Sequence, residues 1–191
     1  RAILAFRQAF PAVHLALQEM TSKQVIDAVQ DETLQVGMIR PFALPPGLQT
    51  VELFSEPLVA LMHTGHSLAE AGEEGLALAE LADEPFVFFP RSYGTGLYDQ
   101  LLNLARQAGF SPRIAQEANE ALTIIGLVAA GLGVSVLPAS FQRMRIEGVV
   151  YRTLLDEGAM TAVWLVERER GGSAMAKAFA ELLTGQVVRP S

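Results

Sequence analysis

Three positions of this sequence combine a residue type and a setting suited to holding an anion. Thr21-Ser22 precedes Val25, Ile26 and Val29, whose spacing predicts a helix with polar residues at its N-terminal cap. Unpaired backbone N–H groups and the positive end of the helix dipole favour a carboxylate or phosphate at such a place. Thr95-Gly96 stands at the start of a second predicted helix. Arg40 directly follows a strand candidate, Leu34 to Ile39, and its planar fork suits bidentate carboxylate recognition. On spacing alone, two ordinary caps and a surface arginine remain the more economical reading, because most caps bind nothing.

Other chemistries find less support. His63 and His66 form an H-x-x-H, but His14 is remote and the chain has no cysteine, whereas metal sites usually need three or four convergent ligands. A solvated loop is the expectation there. The sequence has no G-x-S-x-G elbow, no P-loop and no G-x-G-x-x-G fingerprint, and Gly94-Thr95-Gly96 is only a G-x-G. Glu73-Glu74, Asp83-Glu84 and Asp156-Glu157 lie in polar segments and read as solvated surface. Thiolate catalysis and disulfides are excluded outright. The expectation is binding without turnover, with no cofactor and no metal.

The elements that must position these residues follow from the apolar pattern. The chain has 191 residues, a formal net charge of −7, 50% hydrophobic residues and 18% charged ones. That balance excludes disorder, and an isoelectric point near 5.0 argues against a nucleic-acid groove on this chain. Ile3, Leu4, Phe6 and Phe10 mark an opening helix that Pro11 ends; the start, Arg1-Ala2-Ile3-Leu4, shows neither an initiator Met nor a signal-peptide pattern and reads as helix already in progress. Val13, Leu15 and Leu17 alternate as a strand does, and with the next helix and Leu34–Ile39 they predict a βαβ unit on a parallel sheet. Residues 85–137 repeat strand-helix-strand-helix-strand, a second doubly wound unit. Within it Ala121 to Gln142 carries no charge, but Gly126, Gly131, Gly133 and Pro138 divide it. It reads as a helix from about Glu120 to Ala130, capped by Asn119 and closed by Gly131, then a strand at Val134–Leu137, not as a membrane span. Strands at Val149–Leu155 and Thr161–Val166 and a helix containing Met175, Phe179, Leu182 and Leu183 complete the order. Two small α/β lobes result, and ligand crevices in such sheets lie beyond the carboxyl ends of the strands.

Several blocks, in order and spacing, resemble the effector-binding domain of LysR-type transcriptional regulators. They are Phe6-Arg7-Gln8-Ala9-Phe10-Pro11, Thr21-Ser22, Leu34 to Arg40, His66-Ser67-Leu68-Ala69, Leu81 to Phe86, Ala108 to Pro112, and Leu127 to Ser140. The likeness is greatest to regulators of aromatic-compound degradation that respond to benzoate-like or muconate-like acids. It implies an α/β fold of two Rossmann-like lobes joined by two crossover strands, similar to periplasmic binding proteins of type 2. Lobe I would be residues 1–55 and 159–191, and lobe II residues 56–158. It further implies a carboxylic acid effector held between the lobes by Thr21, Ser22 and Arg40 on one side and Tyr93, Gly94, Thr95, Gly96 and Leu97 on the other. DNA would be met only through a winged helix-turn-helix ahead of Arg1, in a cytoplasmic homodimer or homotetramer. The first strand of lobe I and its loop would also lie before Arg1. Glu32 and Gln35 replace a Gly and an Asp usual in that family, Ser67 stands where a proline is usual, and Gly96-Leu97 lacks an aromatic side chain. A stand-alone solute-binding protein and a dehydratase-like enzyme on the same fold are the competing readings.

Overall fold

A computed structural model of the chain describes residues 2–70, 75–93 and 96–185, the side chain of Tyr93 excepted. Its elements run α1 (Ala2–Ala9), α2 (Ser22–Gln30), β1 (Val36–Ile39), β2 (Leu48–His63), β3 (Pro85–Phe88) and α3 (Gly96–Gln107). They continue through β4 (Arg113–Glu117), α4 (Ala121–Ala129), β5 (Ser135–Pro138), β6 (Val149–Thr153), β7 (Met160–Arg168) and α5 (Ala174–Gly185). The chain divides into two compact units, Arg1–Ser55 with Ala162–Ser191, and Glu56–Thr161.

In the first unit, α2 buries Val25, Ile26 and Val29 with Ile39, Leu48 and Val166, while Lys23 and Asp27 pair at 2.7 Å on its exposed side. A capping box starts the helix. Thr21 Oγ1 accepts from the Gln24 N–H at 3.2 Å, and Gln24 Oε1 accepts from the Thr21 N–H at 2.9 Å. Thr21→Ala is expected to cost about 1 kcal/mol in urea unfolding, with Thr21→Ser close to wild type; equal midpoints for all three proteins would refute the cap. Strand β1 pairs antiparallel with β7 from Val36↔Glu167 to Ile39↔Trp164, and β7 has β2 on its other side. Gly37 lets α2 lie directly on β1: a Cβ there would come 2.1 Å from Val25 Cγ1. The Arg168 guanidinium donates to the carbonyls of Val29 and Leu34 at 2.8 and 3.3 Å, tying the end of α2 to the start of β1. Helices α1 and α5 meet through Phe6 and Phe179, whose rings pack edge to face.

The expected strand at Val13–Leu17 is not formed. Residues 11–21 carry no ladder, and β1 is paired on one side only, so the predicted parallel βαβ unit is not closed among the described residues. A strand needs a neighbour about 4.8 Å away on which to place its N–H and C=O groups. Here Val13–Gln18 and the Leu34–Val36 stretch face each other across an apolar trough of about 360 Å³, floored by Phe6 and Phe179. Leu17 and Met38 beside it are 63% and 57% exposed.

The second unit matches its predicted order more closely. β3 and β4 pair in parallel, and a parallel bridge joins Phe86 to Val134 just before β5. Phe86, Phe88, Leu101, Ile124, Ile125 and Leu137 are fully buried in its core. Helix α4 ends as its sequence predicts. Gly131 takes a φ of +77°, and the N–H groups of Gly131 and Leu132 donate to the carbonyls of Val128 and Leu127 at 2.9 and 3.1 Å. Its start differs by one residue: the Ile124 N–H donates to the Glu120 carbonyl at 3.0 Å, which makes Glu120 the cap instead of Asn119. Strand β2 runs straight through Ser55-Glu56-Pro57. From Leu58 and Val59 onward β2 pairs with β5 and β6, so the proline, which cannot donate to a ladder, falls just before these pairings begin. No helix among the described residues is long and apolar enough to cross a membrane.

Candidate functional site

Ser22 is the first residue of α2 and only 9% exposed. Its Oγ accepts a hydrogen bond from the backbone N–H of Arg40 at 3.1 Å, which joins the start of the helix to the carboxyl end of β1. The bond occupies an oxygen lone pair and leaves the hydroxyl proton to be donated elsewhere. Arg40 is half-buried, and its Nη1 lies 3.4 Å from the carbonyl oxygen of Ala162 in β7. A guanidinium carries five donors, so one anchored nitrogen orients its plane. Helix terminus and guanidinium together make this corner of the first unit electropositive. Thr21 flanks it, with its hydroxyl oxygen engaged in the capping box.

The remaining predicted residues belong to the second unit. Tyr93 closes a single 3-10 turn, Arg91–Tyr93, and Gly94 and Thr95 lie outside the described residues. Gly96 is the buried first residue of α3, and Leu97 is buried in the core formed with Phe88, Leu101 and Ile125. Its side chain is therefore a packing group. The histidines organise their own loop. His63 Nδ1 accepts from the Gly65 N–H at 2.9 Å, and His66 Nδ1 accepts from the Leu68 N–H at 3.2 Å with its Nε2 3.3 Å from Glu84. Among the described residues no group of three or more His, Asp or Glu side chains is placed to hold a metal ion.

One buried carboxylate escaped the sequence reading. Glu56 Oε2 accepts from the Ser140 N–H at 2.7 Å and so caps the 3-10 helix Ala139–Met144. A lone glutamate before a proline gives no sign of this, since its partner is 84 residues away. Tyr151 in β6 is similarly silent in sequence. Burial pushes its hydroxyl above the usual tyrosine pKa.

An electropositive corner built from a helix start and a strand end, on an α/β scaffold of two units, defines a small-molecule binding module. Residues 1–187 match the family model described as the LysR substrate binding domain, and the chain belongs to that family. It is the ligand-sensing effector domain of a LysR-type regulator. It is 45% identical over 161 residues to the HTH-type transcriptional regulator YnfL of Escherichia coli strain K12, covering 84% of this chain and 54% of that protein. It is 33% identical over 174 residues to CatR of Pseudomonas putida, covering 91% and 59%. The solved BenM effector binding domain with its effector benzoate superimposes with a TM-score of 0.85 at 28% identity, over 96% of this chain and 83% of that one. The chain thus spans little more than half the length of the two regulators.

Proposed function

We propose that this domain senses a small aromatic or unsaturated carboxylic acid, whose carboxylate meets the Ser22 hydroxyl, the first N–H groups of α2 and the Arg40 guanidinium. The observation that carries this reading is the Ser22–Arg40 hydrogen bond, which holds two anion-binding groups at one corner. The benzoate named for the BenM domain is of the same chemical class. On this reading residues 1–55 with 159–191 form one lobe and residues 56–158 the other. The family resemblance adds Tyr93, Gly94, Thr95, Gly96 and Leu97 to the residues that meet the acid. Gly96 and the core-packed Leu97 would then contribute backbone. Occupancy shifts the arrangement of the lobes and is read out at DNA by a helix-turn-helix outside these residues, in a cytoplasmic dimer or tetramer.

The trough beside β1 gives the proposal a second test. An added strand running parallel to β1 would pair with both β1 and Val13–Leu17, and its carboxyl end would arrive beside Ser22 and Arg40. The loop after it would complete the pocket. Calorimetry with benzoate and cis,cis-muconate on the full-length regulator and on residues 1–191 is expected to show at least one acid binding the former. Affinity for the shorter chain should fall about tenfold or more, because one wall of the pocket is then missing and the remainder is less preorganised. No acid binding to the full-length protein would overturn the proposed ligand class, and equal affinities would overturn the added strand.

A further inference from the structure

The corner at Ser22 and Arg40 is one end of a frame that lies within the first unit. Helix α2 rises about 12 Å from Ser22 to Gln30 and is seated on β1 at Gly37, where Val25 leaves no room for a Cβ. Strand β7, antiparallel to β1, reaches both ends of that pair. At one end its Ala162 carbonyl lies 3.4 Å from Arg40 Nη1. At the other end stands Arg168, one residue beyond the ladder. A single nitrogen, Arg168 Nη1, donates to the carbonyl of Val29 in the last turn of α2 at 2.8 Å and to that of Leu34 in the link to β1 at 3.3 Å.

The other ties at this end are local. The Leu34 N–H and the Thr33 hydroxyl both donate to the Ala28 carbonyl, at 2.9 and 3.0 Å. They close the turn between helix and strand, but they move with it, because both partners belong to the same stretch of chain. Glu32 holds a φ of +65° in this turn, a left-handed conformation that a residue with a Cβ adopts at a cost. Arg168 joins the turn to the sheet, and a cation is the favoured charge beside the carbonyl end of a helix. We propose that Arg168 is a positioning residue for the effector: it fixes how far along β1 helix α2 sits, and so holds Ser22 Oγ and the first N–H groups of α2 level with the Arg40 guanidinium. The inference rests on the carboxylate site proposed for those residues. A carboxylate carries two oxygens at a fixed separation, so meeting the helix start and the guanidinium at once tolerates little axial slip of α2. Arg168 touches no ligand and acts through the helix.

Amide hydrogen exchange and calorimetry with benzoate and cis,cis-muconate, both on the full-length regulator, test this. Arg168→Met keeps an unbranched stem and removes the donors. In it the Arg40 N–H is expected to exchange about tenfold faster without ligand, because its bond to Ser22 opens more often. The amides of the β1–β7 ladder should change less, a contrast that general destabilisation does not produce. Whichever acid binds the wild type should bind this variant about fivefold more weakly. Arg168→Lys keeps one nitrogen with N–H groups for both carbonyls and should recover most of both effects. An Arg40 N–H that exchanges in Arg168→Met as in the wild type, or that is accelerated no more than the ladder amides, would overturn the proposal, and so would an unchanged affinity. If the wild type binds neither acid the carboxylate reading fails, while exchange at the Arg40 N–H still decides what Arg168 positions.

Discussion

Arg40→Ala is expected to weaken benzoate binding by about two orders of magnitude, because truncation removes a charge-assisted pair worth about 3 kcal/mol. The side chain is half-buried and its backbone N–H, not its guanidinium, makes the bond to Ser22. The variant keeps that bond and loses the one from Nη1 to the Ala162 carbonyl, so it should fold with a loss of about 1 kcal/mol in urea. Arg40→Lys keeps the charge but loses the planar fork, and an intermediate affinity is expected. Ser22→Ala should behave differently from either. It removes the proposed ligand contact and also strips the Arg40 N–H of its acceptor, so stability and affinity are expected to fall together. Calorimetry and urea unfolding on the same preparations check all three. An Arg40→Ala protein that binds benzoate as the wild type does would remove Arg40 from the site.

The largest expected effect on folding is at Gly133. A Cβ there would come 2.2 Å from the carbonyl oxygen of Pro85. That same oxygen accepts from the Val134 N–H at 2.8 Å, and the Val87 N–H donates back to the Val134 carbonyl at 2.9 Å. These two bonds hold the start of β5 against β3 across the core of the second unit. The obstacle is backbone, so no rotamer change relieves it. Gly133→Ala is expected to destabilise the protein by about 3 kcal/mol, the sum of overpacking and a weakened ladder. Gly131→Ala is the useful comparison. Its Cβ would meet nothing within 4 Å, so only the positive φ opposes it and a smaller loss, about 1 kcal/mol, is expected. Equal unfolding midpoints for the two variants would show that the close approach at Gly133 has no energetic consequence.

Local signals were the ones legible in the sequence. Thr21 with Gln24 three residues later is a capping box written in the chain, and the apolar face of α2 follows at once. Gly131 announced the end of α4, and the β3 to β5 order was readable from apolar runs set between glycines and prolines. Pairing was not legible. The alternation of Val13, Leu15 and Leu17 records which side chains share a face, but a strand also requires a neighbouring backbone, and among the described residues neither Val13–Leu17 nor the free edge of β1 has one. Nor does a proline such as Pro57 mark a strand end by itself, since its missing N–H costs little just before the pairings with β5 and β6 begin. The site divides in the same way. Ser22 and Arg40 could be nominated by type and position, yet their mutual bond across 18 residues could not. Leu97 was nominated by position alone, and its apolar side chain went to the core. The role of Glu56 depends wholly on a tertiary neighbour.

The most direct test of the effector reading is a crystal structure of the benzoate complex of the full-length regulator. The expected result is a carboxylate within hydrogen-bond distance of Ser22 Oγ and the Arg40 guanidinium, at the N-terminus of α2. A benzoate bound with its carboxylate away from both residues would contradict it.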